Sequence, residues 1–148
     1  KQINLYLAQM ENKILRAKKT RIKLSREWAN SFPSKPGVYV AFEGRAIVYI
    51  GETGNIRGRM KDLLDSRHHT LRRSIGKLNF SQVKGYKNAS SKLKFPPHIE
   101  EKINHWLKGK LVISSMDLGL GRKELEERII KKYNGGHKYN KRGKRKSS

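Results

Sequence analysis

Gly37-Val38-Tyr39-Val40-Ala41-Phe42, Glu43-Gly44, Ala46-Ile47-Val48-Tyr49-Ile50, and then Gly51-Glu52-Thr53-Gly54-Asn55-Ile56-Arg57-Gly58-Arg59 is the stretch that decides the fold. β-Branched and aromatic residues fill both apolar runs, and Glu43-Gly44 between them has the composition of a turn. That pattern predicts a β-hairpin with one tyrosine on each strand, Tyr39 and Tyr49. Beyond the loop 51–54, Asn55 stands where it can cap a helix over 56–66, which would present Arg57 and Arg59.

Working outward, Ile3, Leu7, Met10 and Ile14 recur at helical spacing and predict an amphipathic helix, continued by a basic run from Arg16 to Lys23. Ser25 can cap a short helix through Trp28, which Pro33 and Pro36 then stop. Downstream of the hairpin, an irregular segment to Ile75 precedes an expected strand over 78–83 and a Lys-, Ser- and Asn-rich loop over 84–97. Ile99, Ile103, Trp106 and Leu107 give a helix over 98–108, and Leu111-Val112-Ile113 reads as a short strand. A helix from Arg122 to Tyr133 carries Leu125, Ile129 and Ile130, with Gly135-Gly136 to end it. No internal repeat is visible. The class is mixed α/β (α+β), with a small, mainly antiparallel sheet flanked by helices.

Length and charge narrow the function. The 148 residues suit one domain, and 35% hydrophobic content supports one modest core. Lys and Arg number 35 against 12 Asp and Glu, a formal charge of +23. A compact chain so charged repels itself unless an anionic partner offsets it, which points to nucleic acid. With no cysteine, disulfides, zinc fingers and thiol catalysis are excluded. No run approaches the ~20 apolar residues that span a bilayer, and no secretory signal opens the chain, so a cytoplasmic protein is expected. Because the chain starts at Lys1, an upstream stretch is expected to be missing. The charge divides the chain into a basic N-terminal helical extension (1–35), a central domain (36–140) and a basic tail (141–148). Residues 1–35 hold nine basic and two acidic side chains, whereas 36–137 hold twenty against ten.

Two phenols near a hairpin, a guanidinium on the next helix and a glutamate at 124, 126 or 127 suit phosphodiester cleavage. A carboxylate can hold Mg²⁺, and an arginine fork can grip phosphoryl oxygens where charge builds. A phenol titrates near ~10 and makes a poor base unless a cation helps it.

In its exact string, Gly37-Val38-Tyr39 followed by Val48-Tyr49-Ile50-Gly51 and by Arg59, ten residues past the second tyrosine, resembles the GIY-YIG nuclease family. Leu125-Glu126-Glu127-Arg128-Ile129-Ile130-Lys131-Lys132-Tyr133 resembles the family's metal-site helix in a register that selects Glu126, and Tyr139-Asn140 resembles its closing pair. The resemblance covers about 36–140. It implies an endonuclease in which Glu126 holds one Mg²⁺ or Mn²⁺, Tyr39 deprotonates or relays for water, Tyr49 positions that water, and Arg59 stabilises the five-coordinate phosphorus. DNA is the implied substrate, duplex favoured and single-stranded an open alternative, with no membrane and no obligate protein partner. A bacterial or phage-encoded restriction or defence enzyme is expected. The competing reading is a non-catalytic DNA- or RNA-binding module on the same scaffold.

Departures from the family pattern add further expectations. Glu52 stands where relatives often carry Lys or Gln, and is expected to pair with Arg57 or Arg59. Leu63 stands where several relatives carry His, so His69 is expected to supply the missing group. Arg57, Arg67, Arg72, Arg73 and Lys77 are expected on phosphate. Asn140 is placed with them, although two extra residues before it make a structural role the stronger expectation. Glu100-Glu101-Lys102, the set His68, His69 and Asn79, and the pair His98 and His105 match other metal-site strings only loosely. Trp28 and Trp106 are read as core residues.

Overall fold

In the computed structural model, which describes residues 2–133 and 138–140, the chain runs α1 (Gln2–Arg16), β1 (Thr20–Arg21), α2 (Arg26–Asn30), β2 (Gly37–Glu43), β3 (Ala46–Thr53), α3 (Ile56–Asp62), α4 (Thr70–Phe80), α5 (Pro97–Lys110), β4 (Leu111–Asp117) and α6 (Arg122–Lys132). The expected helix end at Gly135-Gly136 and the tail 141–148 lie outside the described residues. The four strands form one antiparallel sheet in the order β1-β4-β2-β3.

β2 lies inside the sheet with its residues from Gly37 to Phe42 buried, which is why its sequence is a continuous apolar run rather than an alternation. Val38, Val40, Phe42 and Ile50 face Leu7 and Ile14 of α1 and Leu125 and Ile129 of α6. On the opposite face, Tyr39, Ala41 and Tyr49 meet α3 through Ile56 and Met60, α4 through Leu71 and Ile75, and α5 through Ile99 and Ile103. Each fully buried aliphatic side chain contributes roughly 1.5–3 kcal/mol, so the two layers hold the hairpin between them. Among the described residues no helix is long and apolar enough to cross a membrane.

Three elements differ from expectation. No strand forms over 78–83: that stretch is the last turn of α4 and the start of a loop. Leu71 and Ile75, four apart, are the residues that bury, whereas Leu78 is 56% exposed. The start of α4 was hidden because its cap is a histidine: Nδ1 of His69 accepts from the Leu71 N–H at 3.1 Å. The basic run does not continue the first helix either. α1 stops at Arg16, and Thr20-Arg21 pair with Ile113 and Val112 as an edge strand. β4 extends to Asp117 because it pairs with β2 along its whole length, and Ser114 and Ser115 disguised it.

α1 is tied to α6 by a buried acid. Glu11, 3% exposed, pairs with Arg128 Nε at 2.8 Å and Lys132 Nζ at 2.9 Å, and accepts from the Tyr133 hydroxyl at 2.9 Å. Burial alone would raise its pKa, but these three donors outweigh it and hold the carboxyl below its ordinary 4.5. The group therefore stabilises the fold fully above pH 4.5, and that contribution is lost as pH falls through the lower folded value. Because Arg128 and Lys132 are themselves partly solvated, Glu11→Ala is expected to cost only about 1–2 kcal/mol at pH 7. In urea unfolding, the gap between variant and wild type should narrow near pH 3; a gap independent of pH would show that Glu11 acts by packing alone.

Candidate active site

The two glycines of the hairpin motif are steric requirements. Gly51 sits opposite Tyr39, and a Cβ there would lie 2.4 Å from the Tyr39 hydroxyl oxygen. A Cβ on Gly37 would lie 2.2 Å from the Met116 carbonyl oxygen. Tyr49 is opposite Ala41, so the two phenols stand diagonally, 6.0 Å between ring centroids and 27° apart in plane. The missing side chain at 51 is what lets the Tyr39 ring lie across β3.

Asn55 caps α3 by accepting from the Gly58 N–H at 3.1 Å, and α3 carries Arg59 to the phenols. The Arg59 Nη1 donates to the His68 carbonyl at 2.8 Å and to Asp62 Oδ2 at 3.2 Å. Burial works against the guanidinium's charge, but Tyr39, Tyr49 and Asp62 more than compensate, and its pKa is raised. Tyr39, Tyr49, Arg59 and Glu126 line one polar cleft of about 360 Å³. Glu126 is buried on α6, and its register neighbour Glu124 opens onto a different groove. Glu52 and Glu127 also line the cleft.

Burial, and after it the neighbouring Tyr49, push Tyr39 well above the ordinary phenol pKa of 10.0, with Arg59 pulling it down. Tyr49 is raised as well, chiefly by burial. Both phenols therefore hold their protons until more positive charge arrives.

His69 is fully buried behind Tyr39, its Nε2 3.1 Å from the Tyr39 hydroxyl. Because Nδ1 already accepts from a backbone N–H, Nε2 carries the ring proton and donates it to the phenol oxygen. Burial, then Arg59, Arg73 and Arg72, hold its pKa well below 6.5, so the ring is neutral. Both ring nitrogens are engaged and no lone pair faces the cleft. The expectation that His69 exchanges a proton with water is corrected on that ground.

Three other expectations are corrected, those for Glu52, Arg72 and Asn140; the remaining basic residues are described with the partners they have. Glu52 pairs with Arg122 Nε at 3.0 Å, not with Arg57 or Arg59. Arg57 donates from Nε to the Phe32 carbonyl at 2.8 Å. Arg72 cannot reach phosphate: it is 2% exposed and paired with Glu100, with Ser66 and Asn104 taking further donors. The same network absorbs the Glu100 of the Glu-Glu-Lys string. Arg73 holds the carbonyls of Ser66 and Arg67 at 2.9 and 2.8 Å, and Arg67 pairs with Asp65 at 2.7 Å. Lys77 is exposed on α4. Asn140 spends its amide on the edge of β3, accepting from the Ile50 N–H at 3.0 Å and donating to the Ile50 carbonyl at 2.9 Å. Its place is structural, and it leaves the phosphate set.

Two cleft residues escaped the sequence reading, Thr70 and Lys123. Lys123 lies three before Glu126, on the same face of α6, and that spacing was the available signal. Thr70 had none, since the start of α4 was itself hidden.

Among the described residues no three of His, Asp and Glu gather to hold a metal by themselves. A lone buried carboxylate in a polar cleft fits a hard cation that keeps most of its ligands as water and substrate oxygen, the habit of Mg²⁺.

A family model described as the GIY-YIG catalytic domain matches residues 7–136. The chain belongs to this family of nuclease catalytic domains. No curated protein matches it. Among solved structures, it is similar to the GIY-YIG N-terminal endonuclease domain of UvrC from Thermotoga maritima bound to magnesium, at 20% identity and a TM-score of 0.43, over 78% of this chain and 93% of that one. A point mutant of that domain, bound to its catalytic divalent cation, matches at 19% identity and the same TM-score, over 78% and 92% of the two chains.

Proposed function

We propose that the chain is a divalent-metal-dependent DNA endonuclease that cuts by in-line attack of water, leaving a 3′-hydroxyl and a 5′-phosphate. The observation that carries this is the convergence of Tyr39, Tyr49, Arg59 and Glu126 on one polar cleft, in a chain whose charge of +23 favours a polyanion.

Glu126 holds the cation, which when bound supplies positive charge at the phosphate and the departing oxygen. Tyr39 takes or relays the proton of the attacking water. Its oxygen accepts from His69, so its own proton points away from that ring. Tyr39 would first give up its own proton to solvent once the cation joins Arg59 in the cleft, and the His69 Nε2–H steadies the phenolate that then takes the water's proton. His69 is thus a positioning residue, and Tyr49 orients the water. Arg59, held by Asp62 and the His68 carbonyl, faces the phosphorus as its charge builds. Lys123 adds a cation on the α6 wall. Arg67, Arg73 and Lys77, with the basic ends 1–35 and 141–148, serve the grip on the backbone.

The finer reading, duplex DNA cut by a restriction-type or small phage or defence enzyme, is supported by the loop between α4 and α5. It exposes Lys87, Asn88, Ser91 and Lys92, side chains of the kind that read base edges. Incubation with labelled double- and single-stranded DNA and RNA, with Mg²⁺ and with chelator, tests the proposal. Expected are Mg²⁺-dependent cuts with 5′-phosphate ends, strongest on duplex DNA. Binding without any cut would instead establish a non-catalytic module.

A further inference from the structure

On the far side of the molecule's helical layer, Phe80 and Trp106 wall a groove of about 560 Å³. Their rings meet edge to face, 6.1 Å between centroids, and the Lys110 ammonium lies 5.7 Å from the centre of the Trp106 ring. Trp106 is partly buried and packs against the core, whereas Trp28 is 7% exposed, so the core reading holds fully for Trp28 and in part for Trp106. The Trp106 indole N–H meets no acceptor among the described residues, so packing rather than a hydrogen bond holds the ring. Lys102 and Lys110 stand on the wall with Glu101, and Lys77 and Lys108 are exposed on the same two helices. The local balance is positive. His98 and His105 also reach the groove, but His98 is bound to the Lys84 carbonyl at 2.9 Å, and among the described residues no metal cluster forms there.

We propose that this groove binds an unpaired nucleobase of single-stranded nucleic acid. The ring face of Trp106 is the stacking platform, and Lys110, displaced from it, meets the phosphate of the same strand. Stacking on an aromatic side chain flanked by cations is the ordinary means of holding a base without reading its sequence. The volume accepts a nucleotide-sized ligand. The groove is also separate from the catalytic cleft. Thr70 lines the cleft at the first position of α4 and Phe80 is the last residue of that helix, ten residues on, roughly 15 Å along the axis. The site goes beyond the proposed cleavage chemistry and does not depend on it.

Titration of the full chain with oligothymidylate in chelator, following tryptophan emission, tests the site without any cleavage. Saturable quenching is expected in the wild type. In Trp106→Phe, quenching should vanish while affinity, measured by anisotropy of labelled oligonucleotide, stays within about threefold. Trp106→Ala should weaken oligothymidylate binding roughly 5- to 100-fold but change binding of a blunt duplex less than twofold, with Trp106→Phe showing that the fold persists. Three results would overturn the proposal. They are absence of quenching, equal losses on single strand and duplex, and emission that shifts with protein concentration alone, which would make the groove a contact between copies. Loss of cleavage on every substrate would leave this assay untouched and speak only to the catalytic proposal.

Discussion

Glu126→Gln is expected to lower single-turnover cleavage by roughly three orders of magnitude or more, about 4 kcal/mol of transition-state stabilisation, while DNA affinity changes little. The amide is nearly isosteric with the acid but cannot offer a cation a charged oxygen. The side chain is buried in the cleft, whereas the basic side chains proposed to grip the backbone lie elsewhere and are untouched. Glu124→Gln should be nearly silent, because that residue opens onto the groove between α1 and α6. Glu127→Gln is the sharper control, since Glu127 is exposed yet lines the same cleft. A rate loss in Glu127→Gln equal to that in Glu126→Gln would mean the cation is shared between neighbouring carboxylates. A silent Glu126→Gln would mean the helix register is wrong. Raising Mn²⁺ or Mg²⁺ should recover part of the rate in Glu126→Gln if the defect is one of cation affinity.

The legible part of this protein was the part governed by local chemistry. The hairpin could be read because two apolar runs surround an unmistakable turn, and because the glycines of both tripeptides answer to contacts within the sheet. Asn55 could be read from its capping position alone, whereas the choice of Arg59 over Arg57, and of Glu126 over Glu124 and Glu127, came from the resemblance to the GIY-YIG family. What stayed hidden depends on partners distant in sequence. Arg72 looks like a phosphate ligand in a basic string, and only the packing of α4 on α5 reveals that Glu100 and Asn104 consume its donors. Glu52 looked destined for the nearest arginines, yet Arg122, seventy residues away, reaches it. The histidine cap concealed α4, and with α4 it concealed the orientation of His69.

That orientation separates two residues that the sequence left as rivals for the proton. Tyr39→Phe keeps the ring stacked beside Tyr49 and removes only the hydroxyl, so its melting temperature should stay close to wild type while the chemical step falls roughly 10²- to 10⁴-fold. His69→Asn makes a different test. Asparagine is among the best helix caps and can still accept from the Leu71 N–H, but it is too short to donate to the Tyr39 oxygen as Nε2 does. It should therefore fold normally and slow cleavage about tenfold, the scale of one hydrogen bond to a developing charge. Its pH–rate profile above pH 6.5 should keep the wild-type shape, because burial and the neighbouring arginines hold the His69 pKa well below that. If His69→Asn instead erases an inflection above pH 6.5, or costs as much as Tyr39→Phe, then the imidazole moves the proton and Tyr39 only orients it. A Tyr39→Phe enzyme with near-wild-type rate would lead to the same reversal from the other side.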